Sequence, residues 1–524
     1  MSYFHRNNLL NLNIFNFIII FLFSFLINLY YAKFGTFPID TFLHYDSGYR
    51  ILNKEYPVKD YWIVSSFIVD FIQSLFFKIF GINWYAYIFH SSFFNAIISL
   101  FTYYFFLHLK ISKINSLIFT LCFSTLAYTI SGTPFVDLHA TFFSLIATYL
   151  IIKNLGYLNN KYLLFIIVLL FFFAFLSKQV PTAYIVILEG FIIIIFLVKK
   201  NNLETLKFIV INFILCLVFF IVILTYLEID YKNFYLQYID FPVSIGALRF
   251  EIIDISFESL FNKYKYLFLP IVLISFFKYK KLKKKEINLF SIEMFSFLII
   301  LAFSLGLLIH QTMTKNQIFI YFLVPILFAL IDVEINNSKL KYKKYLSILS
   351  IVCLVLITLK YHLRFNEDRK FHELAEINLN AAIAAESIDN SLKGLLWINP
   401  LFKGDPNKEI LLIKEATKEL NDSNKEIMLI THYSFLDSIT NKKLHSPNKS
   451  FTFDGISMPI TKNKYYFKYK NFLANKINQN NIKEVYFFKH EKILNETFTA
   501  YFKQECYKLR ENKFFYIYAI KCLK

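Results

Sequence analysis

The sequence predicts a mainly α, polytopic membrane protein of about 11 spans with a C-terminal extracytoplasmic α/β domain. Three observations carry that prediction. Hydrophobic residues make up 56% of the 524 residues, with 65 Phe, 11 Gly and a mean hydropathy of +0.47, beyond what soluble domains tolerate. Apolar runs long enough to cross a bilayer recur as far as residue 361. Beyond about residue 362 the composition turns mixed, and short apolar strands alternate with helical patterns. The wealth of Phe, Ile, Tyr, Lys and Asn follows the codon bias of an AT-rich genome as much as any physical need, so the aromatic count alone marks no binding surface.

A helical span needs about 20 apolar residues, because the hydrocarbon layer is about 30 Å thick and a helix rises about 1.5 Å per residue. Eleven such runs lie near 14–31, 84–107, 115–131, 136–152, 162–177, 181–198, 208–227, 264–278, 290–309, 317–332 and 345–361. The first follows a weakly basic start, His5 and Arg6, with no small-residue cleavage site after it, so it is expected to stay as an anchor. Lysines sort the loops, since Lys and Arg in short loops stay on the cytoplasmic side. Alternate loops are rich: Lys110 and Lys113; Lys153 and Lys161; Lys199, Lys200 and Lys207; the run "KYKKLKKKE" from Lys278; and Lys339, Lys341, Lys343 and Lys344. The intervening loops "SGTPFVD", "LSKQVPT" and "HQTMTKNQ" carry none or one. This pattern places the N-terminus in the cytoplasm, and loops 32–83 and 228–263 and everything after about 362 outside. The lysine run at 278–285 is read as a topological anchor, with binding of anionic lipid the lesser reading.

The expected domains are 1–361, membrane-embedded, and 362–524, extracytoplasmic. The second opens on a helical stretch, "NEDRKFHELAEINLNAAIAAESID", and continues with the strands "GLLWIN", "EIMLIT", "EVYFFK" and "FFYIYAIKC". Between them run helical patterns such as "KEILLIKEATKEL" and "FTAYFKQECYKLREN", an alternation that predicts a largely parallel sheet. It holds no GxGxxG, P-loop or repeat. Cys122, Cys216 and Cys353 fall inside spans as apolar filler, whereas Cys506 and Cys522 lie where an oxidising compartment allows a disulfide or leaves two thiols. The net charge of +19 lacks the basic, aromatic-interleaved stripe of nucleic-acid binding, which excludes nucleic acid as a partner. No CxxC or HExxH pattern points to zinc.

Chemistry is therefore expected where charge meets the outer membrane face, since ionisable groups at that depth are costly. The stretch "FPIDTFLHYDSGYRILNKEYPVKDYW" at 37–62 carries Asp40, Asp46, Arg50 and Asp60. Helical spacing sets Asp46 four residues from Arg50, so a salt bridge absorbs that carboxylate or it acts as a second catalytic acid. Asp40 has His44, not a basic residue, at its i+4 position and is read as the base less committed to a partner. Asp60, after "YPVKD", reads as a turn or cap leading into an amphipathic interfacial helix, with direct substrate contact the alternative. His44 with Asp40 and Asp46 also has the donor set of a divalent metal corner, so a metal remains possible. On the lysine-poor side, "FLSKQVPTAY" holds Lys178 and "IHQTMTKNQIF" holds His310, Gln311 and Lys315. Each cation is either a snorkelling stem or, with Arg50, part of a cradle for a phosphate at the membrane surface.

These residues resemble the glycosyltransferase C superfamily. A first span, a large outer loop with an early aspartate, "GYRILNKEYPVKDYW", a helix ending "FKIFGINWYAY", many spans and an external C-terminal domain carry the resemblance, over roughly residues 10–200 by motif and beyond that by topology. The chain is similar to bacterial protein O-mannosyltransferase and aminoarabinose transferase-like enzymes, the glycosyltransferase family 39-like group. There an aspartate stands about twenty residues ahead of G-x-x-P-Y-x-D; Asp40 stands so to "KEYPVKD", with Lys54 where Gly is usual and Thr41 in place of a second acid. "LSKQVPTAY" and "TKNQIFIYFLVPI" are similar to later segments of the group. The resemblance implies an enzyme of the bacterial inner membrane that transfers sugar, with inversion, from a polyprenyl-phosphate carrier to a glycan, lipid or protein acceptor on the periplasmic face. It implies Asp40 as base and Arg50, Lys178 and Lys315 on the phosphate, with the lipid-linked donor as substrate, no cofactor certain and a divalent metal possible. A lipid-linked glycan flippase or transporter, or an O-antigen polymerase or ligase, is the alternative. The spans hold few Gly or Pro interruptions and no repeat, which disfavours the transporter.

Overall fold

A computed structural model describes residues 2–34, 40–156, 160–250, 256–314, 319–369, 374, 377–399, 402, 405–451 and 455–522. In chain order the helices are α1 Ser2–Tyr31, α2 Leu43–Leu52, α3 Phe67–Phe80, α4 Trp84–His108, α5 Lys113–Leu126, α6 Val136–Asn154, α7 Lys161–Ser177, α8 Gln179–Lys199, α9 Leu203–Tyr226, α10 Tyr231–Tyr235, α11 Phe241–Phe250 and α12 Phe257–Lys283. They continue with α13 Ile292–Thr314, α14 Leu323–Asn337, α15 Lys343–His362, α16 Pro406–Asp422, α17 Leu436–Ile439, α18 Tyr466–Gln479 and α19 Lys492–Thr499. The strands are β1 Ile383–Ala384, β2 Leu396–Trp397, β3 Ile427–Ile430, β4 Glu484–Phe488, β5 Tyr507–Glu511 and β6 Phe515–Ile520. Helix starts follow from local chemistry: Ser112 accepts from Asn115 N, Asn160 from Leu163 N, Ser256 from Ser259 N and Asp405 from Lys408 N, so α5, α7, α12 and α16 begin on capped amides.

Each of the eleven expected spans overlaps a helix. Among the described residues eight helices are long and apolar enough to cross a membrane, which makes the chain a multi-pass membrane protein. The other three differ for visible reasons: α7 has 17 residues, α14 has 15, and α4 is diluted by Tyr, His, Asn and Ser.

Two compact units are discontinuous in sequence. The first takes 1–32, 88–219 and 252–371, and the second 33–87, 220–251 and 372–524. In the first, α6 is central, with 83% of its apolar window buried against 17% for α9. α6 packs on α7, α8 and α13, and α13 lies close on α8 because Gly306 has no side chain: a Cβ there would stand 3.1 Å from the backbone nitrogen of Ile185. Gly132, at φ +71, occurs where any side chain would strike the backbone of Ala32. Part of the basic run is structural: Lys278 and Lys281 reach Glu293 and the buried Glu334 at 2.5–2.9 Å.

The second unit contains a four-stranded sheet of order β3-β4-β6-β5 and a short β1–β2 pair. Only β3 and β4 pair in parallel; β4–β6 and β6–β5 are antiparallel. The expected largely parallel sheet is thereby corrected, and the reason lies in "FTAYFKQECYKLREN". Its helix stops at Thr499 and Tyr507–Glu511 is a strand, turned back into β6 where Asn512 accepts from the amides of Phe514 and Phe515 at 2.9 and 2.8 Å. Cys506 and Cys522 are joined as a disulfide beside this hairpin. Of the helix expected at "NEDRKFHELAEINLNAAIAAESID", residues 370–373, 375 and 376 lie outside the described residues; helical backbone ends at Glu367, and the described remainder holds single 3-10 turns at Leu379–Ala381 and Ala385–Ser387 and β1. Asn378 and Asp389 accept from nearby amides and divert the backbone from a helical ladder.

Candidate functional site

In the second unit the polar groups gather around α2 and α3. Gly48 permits the approach of these helices, since a Cβ there would meet Gln73 Cγ at 2.7 Å. Thr41 and Phe42 anchor the residues ahead of α2: Tyr87 donates to the Thr41 carbonyl at 2.8 Å, and the Phe42 ring packs on Trp84 and Phe435. Asp40 stands half-buried at the head of this turn. Two residues into α2, His44 is buried, and its Nδ1 lies 2.7 Å from Asp70 Oδ1 in the first turn of α3. Burial and the nearby Lys449 ammonium push the imidazole down to about 4.

Lys449 is the surprise of the cluster. Trp62 donates to the Pro447 carbonyl at 2.8 Å and accepts from the Lys449 amide at 3.0 Å, a parallel bridge that brings the C-terminal loop to the segment after α2. From there Lys449 Nζ reaches both oxygens of Asp70, at 2.5 and 2.6 Å, lies 3.1 Å from His44 Nδ1 and donates to Ser66. Burial lowers the ammonium's affinity for its proton, and Asp70 offsets part of that.

Asp46 and Arg50 form the expected i,i+4 pair, but loosely, at 3.8 Å. The guanidinium has two of its other nitrogens engaged elsewhere, while Nη1 makes no hydrogen bond among the described residues. Its Nε donates to Glu55 at 2.8 Å, Nη2 donates to the Ser446 carbonyl at 3.0 Å, and it lies 4.1 Å over the Tyr61 ring. Glu55 is further bridged by Lys443 at 2.5 Å. Asp46 and Asp437 are both buried, and burial raises both carboxyls despite Arg50. Asp60 has the turn geometry expected of it: its side chain accepts from the Tyr56 amide at 2.7 Å, and its carbonyl accepts from Lys476.

The first unit holds a separate constellation. Asp137 sits in the first turn of α6, where the helix dipole favours a carboxylate. Its Oδ2 lies 2.7 Å from Nζ of Lys178, at the α7–α8 break, and its Oδ1 lies 2.6 Å from Nε2 of His310 near the end of α13. Gln311 is buried beside His310 in sequence, and its Oε1 accepts no hydrogen bond among the described residues. Lys178 keeps 23% of its side chain exposed, so an ammonium with three protons, one directed at Asp137, can still meet a ligand. Flanking Lys178 in sequence, Phe175 and Thr182 line an apolar cavity of about 570 Å³ walled by α7, α8 and α9. A smaller cavity of about 170 Å³ shares Val168, Phe171, Val186 and Ile209 with it and includes Glu189, whose carboxyl accepts from Thr148 at 2.8 Å.

Of the sequence-predicted residues, His44, Asp46 and Arg50 thus fall within one buried network, Lys178 and His310 share Asp137, Asp40 and Asp60 sit at turns, and Lys315 lies outside the described residues. Asp137, Asp70, Glu55, Asp437 and Lys449 escaped the sequence reading. Asp70 and Asp137 had a readable signal, an acid at the first turn of an apolar helix; Lys449, in "SPNKSF", had none. No group of three or more His, Cys, Asp or Glu side chains placed to hold a metal occurs among the described residues, and His44 is directed at Asp70 and Lys449.

No family model matches the chain, and neither does any curated protein sequence. Solved structures are similar to it, two of them as follows. The oligosaccharyltransferase of Archaeoglobus fulgidus, in complex with Zn and sulfate, matches over 96% of this chain and 73% of its own, at 11% identity and TM-score 0.46. ArnT from Cupriavidus metallidurans, bound to undecaprenyl phosphate, matches over 96% of this chain and 97% of its own, at 8% identity and TM-score 0.47.

Proposed function

We propose that this protein is a membrane glycosyltransferase that moves a sugar, with inversion, from a polyprenyl-phosphate donor to an acceptor hydroxyl on the periplasmic face of a bacterial inner membrane. The observation that carries the reading is the apolar cavity of about 570 Å³ between α7, α8 and α9, with Lys178 in the chain between two of its lining residues. A prenyl chain suits such apolar walls, and an ammonium suits a phosphate.

Asp40 is the proposed base. Asp40 is half-buried at the turn ahead of α2, within reach of solvent, whereas the Asp46 and Asp70 side chains are buried. Its carboxylate takes the proton from the acceptor hydroxyl as the oxygen attacks the anomeric carbon. The phosphate leaves as an anion and needs no proton if its charge is met by a cation, a role assigned to Lys178. One carboxylate therefore suffices, unlike glycoside hydrolysis, which uses two. Arg50, committed to Glu55 and the Ser446 carbonyl, shapes the segment behind Asp40.

Purified protein in detergent, given a radiolabelled polyprenyl-phosphate sugar, is expected to consume it and release the sugar or pass it to an acceptor. A flippase would leave the donor intact, and an intact donor after prolonged incubation with an acceptor mixture would remove the enzyme reading.

A further inference from the structure

In the second unit a polar cavity of about 200 Å³ lies among residues 58–60, 228–233 and the α18 face at 472–480. Of its lining residues, Lys476 also faces Arg50 and Asp437. We propose that this cavity is a carbohydrate subsite that takes one uncharged sugar unit, the acceptor's in the transferase reading on which that last assignment rests.

The chemistry of the lining selects the ligand class. Carboxylates outnumber amines three to two, as Asp60, Glu228 and Asp230 face Lys59 and Lys476, so an anion meets net repulsion. The charges are also largely spent on one another. Lys59 is bridged to Glu228 at 2.6 Å, Lys476 donates to the Asp60 carbonyl, and Asp230 caps α10 by accepting from the amides of Lys232 and Asn233 at 3.3 and 3.2 Å. A cation therefore finds few uncommitted acceptors.

What remains accessible is amide. Asn475 and Gln479 are exposed and one turn apart on α18, so both present a donor and an acceptor to the same side of the cavity. Vicinal hydroxyls, each both donor and acceptor, match such groups. Phe472 supplies a half-buried ring held edge-on by Trp62 at 5.7 Å, an apolar wall for the C–H face of a pyranose. The volume is that of a single ring rather than a chain.

The test uses the full chain in detergent micelles and saturation-transfer NMR with three probes: the methyl glycosides of glucose, mannose and N-acetylglucosamine. At least one is expected to receive saturation from the protein. Asn475→Leu with Gln479→Leu, two exposed positions whose loss leaves the fold intact by tryptophan fluorescence, is expected to weaken that probe's binding about tenfold, as two lost hydrogen bonds imply. Saturation of none of the probes, an effect unchanged in the double variant, or its displacement by inorganic phosphate would overturn the proposal. Sugar binding in a protein that never consumes the lipid-linked donor would instead sink the transferase reading and leave the subsite standing.

Discussion

Replacing Lys449 with Met probes the buried network of the second unit through a charge the sequence gives no reason to single out. The ammonium contacts both Asp70 oxygens at 2.5 and 2.6 Å and is 7% exposed, while the Asp70 side chain is fully buried. Methionine keeps the apolar stem and deletes the charge, which leaves a carboxylate in low dielectric with only His44 and Ser66 beside it. Breaking one partner out of a buried pair costs about 3–5 kcal/mol. At roughly 2–4 °C per kcal/mol for a domain of this size, the melting point falls by about 6–20 °C. Tryptophan emission reads this directly, because all 3 tryptophans, Trp62, Trp84 and Trp397, are buried in the second unit.

The deficit should also depend on pH. In the wild type Lys449 helps to hold His44 neutral; in the variant that influence is gone and Asp70 favours the imidazolium. Burial, the largest cause of the depressed His44 value, persists in the variant, so the imidazole stays depressed but less so. A depressed histidine costs stability as pH falls below its unfolded value near 6.5, and that cost is smaller in the variant. The melting deficit is therefore smallest near pH 6 and grows toward about pH 8. A drop of under about 2 °C, or equal deficits at both pH values, would refute the account of the network.

Three other expectations follow from the same geometry. Lys178→Met should slow sugar transfer about a hundredfold, the usual effect of removing one preorganised electrostatic contact, and a rate within threefold of wild type would clear Lys178 of the phosphate. Asp437→Asn should raise the melting temperature at pH 8 and flatten its rise as pH falls toward the unfolded carboxyl's value of about 4: burial lifts the Asp437 carboxyl, the folded state holds that proton more tightly, and stability is gained as pH falls. A variant that melts below wild type at pH 8 would reverse the sign of that argument. Alkylating the denatured, unreduced protein should label Cys122, Cys216 and Cys353 alone by mass spectrometry, and all 5 cysteines after reduction. Labelling of Cys506 or Cys522 without reduction would contradict the disulfide.

Much of the membrane architecture was legible because a bilayer imposes one requirement, length of apolar helix, that composition records directly. Local devices could be read too: the turn at Asp60 follows from "YPVKD", and the Asp46–Arg50 pair from spacing of four. Three features stayed hidden for distinct reasons. Lys449 lies 379 residues from Asp70, and a loop residue has no periodicity that points to its partner. Asp137 closes an apolar, lysine-poor loop and gains meaning only once α13 brings His310 to it. The strand β5 was masked because "ECYKLREN" satisfies a helical pattern as well as an alternating one, and the disulfide with the Asn512 turn decides the matter. Arg50 shows the complementary lesson. A cation beside a membrane is read as a phosphate ligand, and the structure adds a neighbour that the reading did not weigh: Glu55, five residues on, accepts from it at 2.8 Å.

The most direct test of catalysis compares Asp40→Asn with wild type at matched folding, in turnover of a radiolabelled polyprenyl-phosphate sugar. Removing the base is expected to lower transfer by at least about a hundredfold, with tryptophan emission unchanged. Turnover that survives undiminished would contradict a carboxylate at residue 40 as the group that activates the acceptor.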